Sequence, residues 1–421
     1  QENIDKLING DSTVELTLAD MKGKAFNDAD WDKLVTKIPL AEAINFMASA
    51  FHNLEYIPSV GFGEYPESGA IGDINGYAAD DGPGGSDSHT MAEASKDGIK
   101  FEDANEYDWV GTRVAPAPMN LAYTWNKELA YENGEIILGE STLLYMLPIM
   151  IGPGMNIHRT AYNGRNVEYY SEDPILSGFT GSAVVQGAQS RGCLVNIKHV
   201  GFNTQEANRS GVCELVSEQA ARELELRNLQ QAFTGFGRSS KMENVEAGAT
   251  DNRYAAEGAR GTMTAYNRIG MVASSANYGV QVEILRNEWG FNGYSVTDFT
   301  GLNPVAAPKE SILAGTTAFC GFGANDPYIN LNNLNTIAAD SRLAEAIQDG
   351  MHYVLYAIAN SYGMDLMNTH VVSLNTWWRS MYTALITISS ILLAGSVAAY
   401  VFFTIKDRKS GAKAEDQGKE D

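Results

Sequence analysis

The chain has 421 residues, with 52 acidic against 30 basic side chains and a formal net charge of −22. That balance disfavours a nucleic-acid binder, which needs clustered Lys and Arg to meet a phosphate backbone, and a hydrophobic share of 44% excludes wholesale disorder. Cys193, Cys213 and Cys320 are too few and too scattered for a disulfide scaffold, and an odd number cannot all pair within the chain.

The chain opens on Gln1, and QENIDKLINGDSTVELTL has neither a basic start nor an apolar core, so it does not read as a signal peptide. Residues 1–26 are expected to be a segment joining this chain to an upstream domain. Over residues 27–58 the apolar positions Trp31, Leu34, Val35, Ile38, Ile44, Phe46 and Met47 recur at helical spacing. The stretch from Pro58 to Gly85 is dense in Gly, Pro and Asp and reads as loop. A helical run from Asn126 to Met146 then leads into an apolar strand, Leu147–Ile151, closed by Gly152, Pro153 and Gly154. The same order recurs: a helix over Ser171–Gln189, a strand over Cys193–Ile197 with Lys198 and His199 at its end, and a helix over Ser217–Thr234. A strand over Gly261–Tyr266, a helix over Val280–Trp289 and a strand over Gly293–Thr297 ending at Asp298 follow, and Asp340–Tyr356 forms a last amphipathic helix. Units of this kind describe a parallel sheet covered by helices, either a closed barrel or an open doubly wound sheet.

The segment Met381–Ile405 holds 25 consecutive uncharged residues, enough at about 1.5 Å rise each to cross a hydrocarbon layer of roughly 30 Å. It reads as a transmembrane helix, against the alternative of a buried core helix. Trp377, Trp378 and Tyr382 stand at one end and Tyr400, Phe402 and Phe403 near the other, as interfacial aromatic belts would. Lys406, Arg408 and Lys409 follow the helix whereas only Arg379 precedes it closely, so the tail 406–421 is expected in the cytoplasm and the rest outside, joined through a juxtamembrane linker over 364–380. The tail carries five basic and five acidic residues, so the negative surplus belongs to the outer part. An acidic exterior is compatible with a neutral substrate such as a sugar.

Four polar constellations stand out. In YAADDGPGG, Asp80 and Asp81 precede a turn enforced by Gly82 and Pro83; an Asx turn competes with a ligand-binding role. The run from Gly152 to Gly178 holds His158, Arg159, Arg165, Glu168, Glu172 and Asp173, and its arginines either donate to a polyhydroxylated ligand or neutralise the carboxylates beside them. IKHVGFNTQEANR places Lys198 and His199 side by side, so both reach a ligand only if the backbone turns there. GFNGYSVTDF puts the carboxylate of Asp298 on a rigid strand, which suits a nucleophile attacking from one direction. Lys198, His199, Tyr266 and Asp298 all fall at strand C-terminal ends, where side chains from several barrel strands converge; helix capping or a structural histidine is the competing reading of each taken singly. None of the six histidines pairs at the spacing of a helical zinc motif, and no glycine-rich loop has the phosphate-binding Lys and Ser pattern, so neither metal nor cofactor is expected.

Taken in order, DGPGG, GPGMNIHR, GRNVEYYSEDP, IKHVGFNTQEANR, GTMTAYNRIG and LRNEWGFNGYSVTDF resemble the barrel domain of glycoside hydrolase family 3, the β-glucosidase and β-xylosidase family, from about Thr17 to Gly363. The resemblance implies an α/β fold with a TIM-like (β/α)8 barrel over 27–363, irregular or incomplete, and a retaining, exo-acting β-glycosidase, most simply a β-glucosidase. It puts Asp298 on the family's nucleophile and Asp81, Arg165, Lys198, His199 and Tyr266 on the residues that hold the sugar, with Arg159 close by. Lys198 and Arg165 are expected to keep Asp298 ionised. IKHVGFNTQEANR is unlike the motif of the family's N-acetylhexosaminidase branch, which favours the glucosidase role. Family members also carry an α/β-sandwich domain that often supplies the acid/base. Here the barrel runs directly into the membrane helix, so the expected arrangement is a permuted one with that domain upstream; Glu206 and Glu172 are the local substitutes. Expected partners are thus a β-glycoside or oligosaccharide substrate, the membrane and the sandwich domain, with no nucleic acid. Cys320 departs from the family pattern and reads as a buried hydrophobe. The alternative function is a non-catalytic carbohydrate-binding or wall-associated protein.

Overall fold

The computed structural model describes residues 2–50, 54–62, 116–139, 149–235, 258–300, 307–321, 323–361, 363–366 and 377–417. The chain divides into two units, Gln1–Asn368 and Thr369–Asp421. In the first unit the strands are β1 (Ile149–Gly154), β2 (Leu194–Val200), β3 (Cys213–Glu214), β4 (Gly261–Thr264), β5 (Arg268–Ile269), β6 (Val272–Ala273), β7 (Tyr294–Phe299) and β8 (Ala318–Cys320). Five of them form one parallel sheet in the order β1-β2-β4-β7-β8, and β3, β5 and β6 form a small separate sheet in the loops.

Each strand of the parallel sheet after β1 is reached through a helical segment, which the geometry of parallel pairing requires. Both faces of the sheet are covered, and the strands read accordingly: all seven residues of β2 and all four of β4 are buried. Side chains alternate between two apolar clusters. Leu194, Met263, Tyr294 and Val296 join Trp31, Phe46 and Phe319 in one, whereas Val195 and Ile197 join Val184, Phe233 and Phe291 in the other. The expected strands are all present, displaced by a few residues. In the parallel sheet one strand went unread: β8, the TTAFC stretch, is short and lacks a period-2 pattern because all three of its residues are buried; the two-residue strands β3, β5 and β6 of the small sheet are too short to carry a pattern. Cys320 lies on it, wholly buried in the first cluster, as a small hydrophobe would be. Among the described residues the parallel sheet therefore has five strands.

The helix Pro174–Ser190 shows how local chemistry sets the frame. Asp173 caps it, its Oδ1 accepting from Ile175 N at 2.7 Å and Leu176 N at 3.2 Å, and Pro174 occupies the first turn, where no N–H is needed. Nearly every residue from Leu176 onward is buried, so the helix carries small residues where neighbours come close. At Gly187 an added Cβ would lie 2.1 Å from Tyr131 O. At the other end of the chain order, the predicted helix over 27–58 is split by Pro39 into Asp30–Thr36 and Leu40–Ala48. The second piece runs to the sheet edge at β8, where Ala50 N donates to Phe319 O at 3.2 Å. The helix Ser341–Ala359 closes this side, with His352 stacked on Phe26 at 4.3 Å and its Nε2 at 3.0 Å from Phe26 O.

The second unit contains the helix Trp377–Gln417. Its stretch Met381–Lys406 is long and apolar enough to cross a membrane, with a mean hydropathy of 2.0 and none of it buried by protein.

Candidate active site

The sheet presents its polar residues at one end. Lys198 and His199 lie within β2, which runs three residues past the expected end at Ile197, and the peptide between them is cis. Asp298 is the penultimate residue of β7, and Tyr266 stands two residues beyond β4. Register places these ends side by side, because β2 pairs with β4 and β4 with β7.

At the centre His199 Nε2 and Asp298 Oδ2 are 3.7 Å apart, with side chains 3% and 16% exposed. This is close contact but beyond a hydrogen bond. Asp298 Oδ1 accepts the N–H of Phe299 at 2.7 Å, and Phe299 O accepts from the Tyr266 hydroxyl at 2.9 Å, so the strand end fixes the carboxylate and the phenol together. His199 is held from behind: Asn156 accepts its backbone N–H at 2.8 Å and donates to its carbonyl at 2.9 Å. Its Nδ1 lies 3.5 Å from the Tyr169 hydroxyl, which accepts from Asn203 Nδ2 at 2.7 Å.

The cations are organised by one buried carboxylate. Glu168 lies 3.1 Å from Lys198 Nζ, and Arg165 grips it in a bidentate pair, with one Nη2 to Oε1 bond at 2.6 Å and a second through Nε. Glu206 lies 3.9 Å from Arg165 Nε, 3.0 Å from Arg209 Nη1 and 2.8 Å from Asn203 Nδ2, and Arg209 covers the Tyr266 ring at 4.4 Å.

Burial dominates the electrostatics. It raises the Asp298 carboxyl above the ordinary range, opposed by its bond from Phe299 N–H and by Arg209, Arg165 and Lys198. Lys198 and Arg165, the cations expected to favour its ionised form, do act in that direction; Arg209 acts beside them, and burial opposes all three. His199 is pushed well below its usual value by burial and then by Arg165, Lys198 and Arg209, so it is neutral at neutral pH. Desolvation likewise raises Glu168, against the pull of Arg165.

Of the residues singled out in the sequence, Arg165, Lys198, His199, Tyr266 and Asp298 therefore come together. Asp81 lies outside the described residues. Arg159 does not join the group: its side chain is 43% exposed and its Nε lies 3.1 Å from Glu225, near the second buried carboxylate, Glu214. Glu172 is exposed at the surface, Asp173 serves as the helix cap, and Glu206 lies on the rim in ion pairs.

The model of the glycosyl hydrolase family 3 N-terminal domain matches residues 108–320, just over half of the chain. This chain belongs to glycosyl hydrolase family 3. Among its curated relatives, the β-glucosidase of Ruminococcus albus is 32% identical over 268 residues, 61% of this chain and 25% of that protein. An exo-α-(1→6)-L-arabinopyranosidase of Bifidobacterium breve is 30% identical over 226 residues, 54% of this chain and 26% of that one. The family 3 chain thus spans about a quarter of these relatives' length. Of solved structures, a β-glucosidase from Paenibacillus barengoltzii superposes with a TM-score of 0.60 at 21% identity, covering 89% of this chain and 37% of that one. β-Glucosidase 3B from Thermotoga neapolitana, in complex with glucose, gives 0.56 at 24% identity, covering 80% and 43%. These two establish likeness of fold.

Two residues that sequence reasoning passed over also stand in this cluster, Arg209 over the Tyr266 ring and Tyr169 beside His199. Arg209 closes the quoted IKHVGFNTQEANR run, and Tyr169 lies inside GRNVEYYSEDP. Neither sits at a strand end, so the strand-end pattern does not mark them. Both arrive through loops whose path the sequence does not reveal.

Proposed function

We propose that this chain carries the nucleophile and the sugar-holding half of a retaining, exo-acting β-glycosidase, most simply a β-glucosidase, anchored to a membrane by the helix Met381–Lys406 with its sheet domain outside. The observation that carries the reading is the convergence on one rim of Asp298, neutral His199 and the cations Arg165 and Lys198 tied to Glu168, in a chain of this family. On this reading the five strands belong to an irregular (β/α)8 barrel, and the loop with Asp81 completes the sugar-holding set.

Asp298 attacks the anomeric carbon, the glycosidic C–O bond breaks, and the leaving oxygen takes a proton from an acid; water then cleaves the glycosyl ester with that acid acting as base. Lys198, His199 and Arg165 hold ring hydroxyls in bonds that strengthen as the ring flattens, which lowers the barrier in preference to tightening ground-state binding. The acid requires a carboxyl about 5–5.5 Å from the nucleophile. Glu206 is occupied by Arg209 and Asn203, an arrangement suited to orienting Arg209, so we assign the acid/base to an α/β-sandwich domain upstream. That same occupancy favours, as the second reading, a protein that binds sugar without cleaving it.

Assay of the full-length protein on aryl β-glucoside and β-xyloside separates the two. Turnover that falls by about 10³-fold or more in Asp298→Asn, with covalent labelling of Asp298 by a 2-fluoro glycoside, supports the enzyme. Turnover retained in Asp298→Asn removes this residue from its role, and sugar binding with neither labelling nor hydrolysis favours the binder.

A further inference from the structure

A groove of about 330 Å³ on the outer, helical face is lined by Ile175, Arg222, Glu223, Arg227, Gln230 and Trp289. None of these residues takes part in the rim that holds Asp298. The volume falls within the range of small-molecule sites, about 300–1,000 Å³.

Three features set its chemistry. Trp289 is backed by Phe233, their ring centroids 5.9 Å apart, so the indole is a braced wall. Arg222 is held by three hydrogen bonds at the surface: Glu288 accepts from its two terminal nitrogens at 2.7 and 2.9 Å, and Glu218 accepts from its Nε at 2.9 Å. Arg227 donates to Gln230 at 2.8 Å, which aligns a planar donor group beside a planar amide. The groove and its rim thus set two guanidiniums against the carboxylates of Glu218, Glu223 and Glu288. This balance gives an anion no advantage over a neutral ligand. An aromatic ring lining one groove with planar donors and acceptors matches a molecule with one apolar C–H face and an edge of hydroxyls.

We infer that this groove is a carbohydrate-binding site separate from the Asp298 rim, taking a neutral pyranose unit of a longer saccharide against Trp289 with its hydroxyls on Arg227, Gln230 and Glu223. It goes beyond the proposed glycosidase function and does not require that the chain cleave anything: it would hold a polymeric saccharide at the surface of the domain.

Affinity electrophoresis of the full chain in detergent, through gels with and without a soluble β-glucan, tests this in an Asp298→Asn background so that the probe is not consumed. The glucan should retard the parent, and both Trp289→Ala and Arg227→Ala should weaken retardation by up to roughly tenfold, the scale of one lost aromatic contact. Arg227→Ala leaves the Phe233 packing intact and so guards against a Trp289 variant that fails to fold. With Asp298 restored, hydrolysis of a small aryl glycoside should be unchanged by Arg227→Ala. No retardation of the parent, or retardation untouched in both variants, overturns the site, as does a parallel loss of aryl-glycoside turnover in Arg227→Ala. Absence of hydrolysis by the parent would instead count against the glycosidase reading and leave the gel result standing.

Discussion

Lys198 and Arg165 share a single carboxylate, Glu168, which lies 3.1 Å from the lysine and forms a bidentate pair with the arginine. Glu168 and Lys198 have side chains only 4% and 3% exposed. Two cations are thereby aimed from different elements at one place, and neither is left uncompensated in the interior.

Removing that carboxylate should therefore do two things. Glu168→Ala breaks the buried ion pair with Lys198, a loss of about 3–5 kcal/mol for pairs of this kind, and it lets both side chains lose their aim. Thermal unfolding should show the first effect. The second should appear as a fall in kcat of about 10²-fold on an aryl β-glucoside, the cost of a small misplacement. Full activity with normal stability would show that Glu168 positions nothing.

Arg209 opposes the burial that raises Asp298. Asp298 must be ionised to attack, so the acidic limb of kcat/KM should lie above the ordinary Asp value and reflect this balance. Arg209→Gln withdraws a positive charge, the carboxyl rises further, and the limb should move to higher pH as well as lower in height. The position of the limb is the discriminating readout: a variant that lost only sugar contacts would drop in rate with the limb unmoved.

Glu214 and Glu225 are both raised to about 7, first by burial. An acid held above its unfolded value binds more protons in the folded state. The stability it confers is therefore fully present below about pH 4.5 and is lost as pH rises through about 7. Unfolding free energy should fall over that window by at most on the order of 3 kcal/mol per group, and the melting temperature should fall with it. Glu225→Gln should flatten the slope, as measured by thermal scans across pH. A slope identical in the variant would show that Glu225 is not the titrating group.

Gly187 is required by contact. An added Cβ would meet Tyr131 O at 2.1 Å and Glu135 N at 2.7 Å, both backbone atoms that cannot swing aside. Gly187→Ala should destabilise the domain by about 1–3 kcal/mol, the usual cost of overpacking, despite alanine's better helix propensity. An unchanged or raised melting temperature would show that the helix can shift to make room.

The sequence by itself determined the alternation of helices and strands, the long apolar helix near the C-terminus and the strand-end positions of Lys198, His199, Tyr266 and Asp298. Each of these is written in local periodicity or in spacing to an apolar run, which physics reads over a few residues. Only the tertiary structure decided which charges meet. Arg159 and Arg165 are equally polar in the same run, yet one pairs with Glu225 and the other with Glu168, and Arg209 reaches Tyr266 across 57 positions of chain. Ion pairing and desolvation depend on distance in space, and loops set that distance without a periodic signature. The raised carboxyl of Asp298 and the neutral ring of His199 follow from the same burial, which no spacing of residues along the chain records.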